Sequence, residues 1–250
     1  MKPATFEDVL AGTRRSAIIE GDCLDKLRTL PASSISSVVT DPPYGLKYQG
    51  LENNRPKILN DENPFVWWLY DAHRALMSPG ALICFCPWKF QEEFRTSIRI
   101  AGFSVRSQVI WDRMQPGMGN TACTFGPRHD VIWFAAKGRF TFPAGRPQSV
   151  IQAHNVPAKR RVHSTEKPLD LMTKLIRSVT PAGGIVLDPC CGSGSTGVAA
   201  VAAGFPFIGI ELDPANAETA RRRLHEAETR KAKFAKPSIH GMRARPRWVA

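Results

Sequence analysis

Six cysteines occur in the chain, and no two of them are spaced Cys-x-x-Cys. That spacing serves zinc ribbons and thiol redox motifs. Its absence speaks against a zinc site and against a secreted disulfide framework, and for a reduced, cytoplasmic protein that needs no metal. Long hydrophobic runs are missing too. The longest apolar stretch, Gly197–Ile210, is interrupted by Gly204 and Pro206, which rules out a transmembrane helix in it. The opening MKPATFEDVL carries acidic residues and no apolar core, so no signal peptide is expected. No internal repeat is visible.

What is present fits one large α/β domain. The chain has 250 residues, 43% of them hydrophobic and 22% charged, ordinary values for a globular protein. Lys and Arg number 34 against 22 Asp and Glu, a formal net charge of +12. Most of the excess lies in residues 221–250, among them Arg221, Arg222, Arg223, Arg230, Lys231, Lys233, Arg243 and Arg247. Beyond Arg230 the apolar period fails and Pro237, Gly241 and Pro246 appear. A folded domain over 1–230 and a basic tail over 231–250 follow from that break. A polyanion partner accounts for the bias, because each phosphate neutralised releases counterions.

Periodicity predicts strands at Ser16–Glu20, Ile35–Thr40, Ala81–Cys86, Phe103–Trp111, Asp130–Ala135, Gly184–Leu187 and Phe207–Ile210. Helices are predicted at Pro64–Met77, Gln91–Ile100, Lys167–Val179 and Ser195–Ala203. Gly45–Asn63 and the connector Gln115–Gly126 read as surface loops, and Gly138–His163 carries little periodic signal. Strands alternating with helices imply a mostly parallel sheet covered on both faces. Such sheets bind ligands beyond the carboxyl ends of their strands. The two most unusual peptides, Asp41-Pro42-Pro43-Tyr44 and Asp188-Pro189-Cys190-Cys191-Gly192-Ser193-Gly194, both follow strands. If those strands are neighbours, the peptides share one crevice.

Gly192-Ser193-Gly194 leads a strand into a helix, a turn that lets a ligand approach the backbone and presents helix N-terminal amides. Asp188 stands just before it. A carboxylate there is a poor neighbour for phosphate and a good one for an ammonium group. Glu211 ends the next strand, where an acid accepts hydrogen bonds from ribose hydroxyls in dinucleotide folds. A ligand with an amino acid at one end and a ribose at the other fits both carboxylates, and S-adenosyl-L-methionine is such a ligand.

With these motifs in view, the sequence resembles the amino (N6-adenine/N4-cytosine) DNA methyltransferases of the beta class, the Asp-Pro-Pro-Tyr type. The second peptide, continued through Ser195 and Thr196, matches the family's Asp-Pro-Phe-x-Gly-Ser-Gly-Thr-Thr with Cys190 for Phe. Gly21-Asp22 and His163-Ser164-Thr165-Glu166-Lys167-Pro168 match two further motifs. The catalytic tetrapeptide precedes the glycine loop, as in the circularly permuted beta class. The resemblance implies a Rossmann-like methyltransferase fold with a seven-stranded, mostly parallel sheet, helices on both faces, and one antiparallel strand near an edge. It implies a catalytic set of Asp41, Pro42, Pro43 and Tyr44. Around the cofactor it implies Asp22 near the adenine, Glu211 at the ribose, Thr165, Lys167 and Pro168 near the methionine end, and the loop residues Asp188, Pro189, Cys190, Gly192, Gly194, Ser195 and Thr196.

The chemistry explains the tetrapeptide. An exocyclic amine is a poor nucleophile because its lone pair is conjugated into the base. Two acceptors aimed at its hydrogens, the Asp41 carboxylate and the Pro42 carbonyl, favour a pyramidal nitrogen, and Asp41 offsets the charge that develops there. Tyr44 offers a face to a base swung out of the duplex. The implied partner is double-stranded DNA, with a homodimer also known in the resembling family. Lys47, Arg55, Lys57, Lys159, Arg160 and Arg161 are the candidate phosphate contacts. The interval 138–162 is the segment for target recognition and is short in this chain. Adenine N6 is the expected acceptor, because cytosine-N4 members usually carry Ser where Asp41 stands. Cytosine N4 is the alternative, and a catalytically idle nucleic-acid-binding module is the reading from another class.

Overall fold

A computed structural model describes residues 3–46, 59–115, 122–123, 125–157 and 166–234, with backbone alone for 231–234. Lys47, Arg55, Lys57, Lys159, Arg160, Arg161, Thr165 and the tail beyond Phe234 lie outside the described residues.

In chain order the elements are α1 (Phe6–Leu10), β1 (Ser16–Glu20), α2 (Cys23–Thr29), β2 (Ile35–Thr40), α3 (Leu69–Ala75), β3 (Leu76–Cys86), α4 (Gln91–Ile100), β4 (Ser104–Asp112), β5 (His129–Lys137), β6 (Val150–Gln152), α5 (Leu169–Val179), β7 (Val186–Asp188), α6 (Ser195–Ala203), β8 (Phe207–Glu211) and α7 (Pro214–Phe234). One sheet takes all the strands of the described residues, in the order β1-β8-β7-β2-β3-β5-β4-β6. β5 runs antiparallel to β3 and β4, and every other pairing is parallel. Seven strands were expected. The additional one is the three-residue β6, which adds to the free edge of β4: Ile110 N–H donates to the Ser149 carbonyl at 2.7 Å and the Trp111 indole N–H to the Ala153 carbonyl at 2.8 Å.

The sheet is buried on both faces. On one side Phe6 and Val9 of α1, Leu27 of α2, Ala72 of α3 and Phe94 and Ile98 of α4 pack with Val38, Leu82 and Leu187. On the other, Leu171, Leu175 and Ile176 of α5, Ala199 and Ala200 of α6 and Ala220 and Leu224 of α7 pack with Val39, Ile83 and Phe207. All six residues of β2 are therefore buried, and its apolar pattern is continuous rather than alternating.

Several boundaries differ from the sequence reading. The helix predicted over Pro64–Met77 is only Leu69–Ala75, because Leu76 already pairs with Ile35. The ladder shifts register between Ile35 and Ser37, so Met77 to Gly80 bulge before pairing resumes at Ala81. Within that stretch Trp68 is fully buried, with its indole N–H donating to the Phe65 carbonyl, whereas Trp67 is exposed. Pro168 precedes α5 as its N-cap with extended backbone, instead of sitting in the first turn. α7 runs on to Phe234, past the expected end near Arg230. The short helices α1 and α2 carried no readable period. Among the described residues no helix is long and apolar enough to cross a membrane.

Two neighbouring strands carry the unusual peptides. β7 pairs with β2 through Ser37–Val186 and Val38–Leu187. After β7 the chain turns through α6 to β8 on one side, and after β2 it goes to β3 on the other. The connections part at this point and leave a crevice at the carboxyl ends. α6 lies close against β8 because Gly197 has no side chain. A Cβ there would sit 2.5 Å from the ring of the fully buried Phe207. Gly197→Ala gains about 1 kcal/mol of helix propensity but overpacks the contact by about 1–3 kcal/mol. A net fall of a few degrees in Tm is expected by differential scanning calorimetry. An unchanged or raised Tm would show that helix and strand have room to separate.

Candidate active site

β2 ends at Thr40 because Pro42 and Pro43 have no N–H to continue the ladder. Asp41 therefore stands at the floor of the crevice. One of its carboxylate oxygens accepts the Tyr44 hydroxyl. The other accepts the Lys167 ammonium at 2.6 Å, with the Asp41 and Lys167 side chains only 19% and 12% exposed. Lys167 also donates to the Tyr44 hydroxyl at 3.4 Å. Its nitrogen lies 5.0 Å from the ring centroid of Phe85, 5.6 Å from Tyr44 and 6.0 Å from Trp111. Burial, and then the neighbouring Asp41 charge, push the Tyr44 phenol well up, so it remains a protonated donor.

Across the crevice, β7 delivers Asp188, 2% exposed. Its oxygens accept the Thr196 hydroxyl at 2.6 Å and the Cys190 N–H at 3.1 Å. Burial raises its carboxyl to about 6, against the lowering effect of those bonds. The loop then turns on Gly194, which caps α6 at φ 84°, where a Cβ would meet that of Ala220 at 2.9 Å. Above Gly192 the space is open, with nothing within 4 Å of a Cβ. Glu211 ends β8 and accepts the Gly192 N–H at 2.7 Å and the Asp213 N–H at 2.9 Å. Its carboxyl is raised, again by burial first.

These groups line a single cavity of about 410 Å³, reaching from Asp22 and Cys23 through Asp188 and Glu211 to Asp41 and Tyr44. Pro42, Pro43, Lys167, Pro189, Cys190, Gly192, Ser195 and Thr196 also line it. Gly194 and Pro168 do not; they set the starts of α6 and α5 behind the wall. Asp22 caps α2, accepting the Leu24 N–H at 2.9 Å, and faces the cavity from that position. A hydrogen bond with the Cys23 thiol, and then burial, push the Cys190 thiol up. Cys84 and Cys86 are buried free thiols, and no metal-binding cluster occurs among the described residues.

Other residues of the site were not legible. Arg223 of α7 ion-pairs with Glu166, at 11% and 7% side-chain exposure. It also donates to the Ser193 carbonyl at 2.8 Å and hydroxyl at 2.9 Å. It thus ties the segment before Lys167 to the glycine loop. The sequence hid it inside a run read as polyanion-binding. Arg221 pairs with Glu20 and Glu218, and the exposed Arg222 with Glu226 one turn on in α7. Asp61 belongs to the stretch read as a surface loop, yet it is 5% exposed and accepts the Gly45 and Leu46 N–H groups. Trp111, Arg113, Asp130 and Asn155 also line the cavity.

Comparisons with known proteins bear on the family and the fold. The model of a DNA methylase family, N6_N4_Mtase, matches residues 35–222. Type II methyltransferase M.HinfI of Haemophilus influenzae is 30% identical over 251 residues, 84% of this chain and 68% of its own. DNA adenine methyltransferase YhdJ of Escherichia coli (strain K12) is 27% identical over 256 residues, 86% of this chain and 85% of its own. YubD of the same organism, which carries the name of a methylase, is 33% identical over 201 residues, 79% and 85% of the two chains. Among solved structures, the M1.HpyAVI-SAM complex superposes with a TM-score of 0.68 at 23% identity, covering 84% of this chain and 98% of that one. The cytosine-N4-specific PvuII DNA methyltransferase does so with 0.66 at 18% identity, covering 87% and 92%. At such identities the structural likeness bears on the fold.

Proposed function

The chain belongs to the amino-DNA methyltransferase family, and from that premise we propose that it methylates the exocyclic N6 of adenine in double-stranded DNA with S-adenosyl-L-methionine as donor. The observation that carries the reading is the single cavity joining Asp41 to the Asp188–Thr196 loop.

The residues present fit that cofactor. Asp188 and Glu211 are carboxylates at the carboxyl ends of the paired strands β7 and β8, and the free space over Gly192 is where a bulky group meets backbone. Asp188 suits the amino group, Glu211 the ribose hydroxyls, and Asp22 and Cys190 the wall toward the adenine. When bound, the cofactor supplies a methyl group activated by a sulfonium. The chain's part is to place and prepare the acceptor. Asp41 and the Pro42 carbonyl accept the two amine hydrogens, and the rigid Pro42-Pro43 pair keeps them aimed. Tyr44 donates to Asp41 through its hydroxyl and offers its ring to the extruded base, a stacking worth roughly 1–3 kcal/mol. Arg223 keeps the glycine loop and the 166–167 segment in register. Lys47, Arg55, Lys57, Lys159, Arg160 and Arg161 are proposed to meet DNA phosphates, in keeping with a net charge of +12. Asp at position 41 favours adenine over cytosine, and the name of YhdJ points the same way.

A pH dependence follows from Asp188. Its folded value of about 6 stands above the ordinary 3.8, so it stabilises the fold in full below about 3.8 and withdraws that contribution as pH rises through about 6. An ammonium ligand favours the ionised form and reverses the sign for the complex. Cofactor affinity, read by titration calorimetry, is therefore expected to rise severalfold between about pH 5 and 7, with proton release on binding. Asp188→Asn flattens that rise; a rise that persists in the variant would assign it to another group.

The reading is tested by incubating the protein with methyl-labelled cofactor and unmethylated bacterial DNA, then digesting to nucleosides. N6-methyladenosine as deoxynucleoside is expected. N4-methylcytosine would overturn the acceptor, and no methylated product would overturn the reading.

A further inference from the structure

The resemblance implies Lys167 near the methionine end of the cofactor; in the structure its ammonium pairs with the acceptor carboxylate, Asp41, at 2.6 Å. Three rings, Phe85, Tyr44 and Trp111, lie with their centroids within 6.0 Å of that ammonium, an arrangement that suits a cation. Two cations line the cavity among the described residues, Lys167 and Arg113. Arg113 is engaged elsewhere, with Asp130 at 3.5 Å and the Pro127 carbonyl. Asp188 stands close enough to add to the negative field at Asp41. Glu166, next to Lys167, is turned to Arg223.

This geometry bears on a problem peculiar to the proposed reaction. A carboxylate poised for the amine also attracts a positively charged donor. Attraction of that kind stabilises the ground state and does nothing for the rate. We propose that Lys167 is the counter-ion of Asp41: it orients the carboxylate for the amine and cancels its pull on a cationic ligand in the same cavity. The inference rests on the methyltransferase reading. The arrangement leaves Asp41 able to act. Each carboxylate oxygen has two acceptor sites, Lys167 and the Tyr44 hydroxyl take one on each oxygen, and the amine hydrogen has room on the remainder. Lys167 is thus a positioning residue that also sets which charge state of ligand the cavity prefers.

S-adenosylmethionine and its demethylated product, S-adenosylhomocysteine, differ by a methyl and a unit positive charge, and so report that preference without DNA or turnover. Both are titrated calorimetrically into the full-length wild type and into Lys167→Met, which keeps the bulk within the rings. In the variant the ratio of affinities is expected to move toward the charged donor by about tenfold, the scale of one unit charge a few ångström away in a part-exposed site. Lys167→Arg keeps the cation and is expected to keep the wild-type ratio within about threefold, by the same account. Lys167→Gln gives the same reading as Met if the latter folds poorly. A loss shared equally by both ligands, or an unchanged ratio, would overturn the inference and leave the methyltransferase reading standing. A wild type that binds neither ligand would overturn that reading and the inference with it.

Discussion

Asp41→Ala is expected to lower the rate of methyl transfer by about a thousandfold, comparable to removing a preorganised electrostatic partner from a reacting group. Without the carboxylate the amine loses an acceptor and the charge developing on nitrogen goes uncompensated. The glycine loop on β7 and α6 is built independently, through Asp188–Thr196 and Glu211–Gly192 bonds. Affinity for S-adenosylhomocysteine, a thioether without the sulfonium charge, should therefore stay within about threefold of wild type, since no sulfonium meets the uncovered Lys167. The ligand without a sulfonium is the right probe because removing Asp41 strips Lys167 of its counter-ion. Near-wild-type turnover in a time course on unmethylated DNA would mean the acceptor amine is not prepared by Asp41.

Arg223→Ala is expected to be the most damaging substitution for stability. It removes the guanidinium from a carboxylate only 7% exposed and cuts two bonds to Ser193. Breaking a buried pair by deleting one member costs about 3–5 kcal/mol, which for a chain of this size lowers Tm by about 10 °C. Cofactor affinity should fall as well, because Ser193 belongs to the loop that holds the ligand. Arg223→Lys keeps a charge but not the fork that reaches Glu166 and Ser193 together, and should recover only part of the loss. An Arg223→Ala protein with wild-type melting would place the ion pair at the surface in energetic terms.

Those two residues also mark what the sequence could and could not disclose. Asp41 was legible because prolines after a buried strand leave few conformations, and the residues that make the turn are adjacent in the chain. Asp188 and Thr196 were legible for the same local reason, and Gly194 as the turn into α6. So were the bounds of β1, β2, α4 and α6, which begin and end where period and punctuation coincide. Arg223 was not. It is one of three consecutive arginines, and composition cannot tell a solvated cation from one that reaches Ser193 across the fold. The Lys167–Asp41 pair was hidden likewise, since both residues belonged to recognisable motifs but their contact is made only by tertiary structure. At the α3–β3 junction, helical spacing persisted through Leu76 and Met77, and the pairing of Leu76 with Ile35 overrode it. Asp61 was lost in a polar stretch because its value comes from the two backbone amides it meets, which a sequence does not display.

The most direct test of a shared pocket is photolabelling. The protein is irradiated with methyl-tritiated S-adenosylmethionine in the absence of DNA, digested, and the labelled peptides sequenced. Label is expected in the peptides holding Asp41–Tyr44 and Asp188–Thr196, and competed away by unlabelled S-adenosylhomocysteine. Competable label confined to peptides that contain neither stretch would place the donor elsewhere on the molecule and contradict the account.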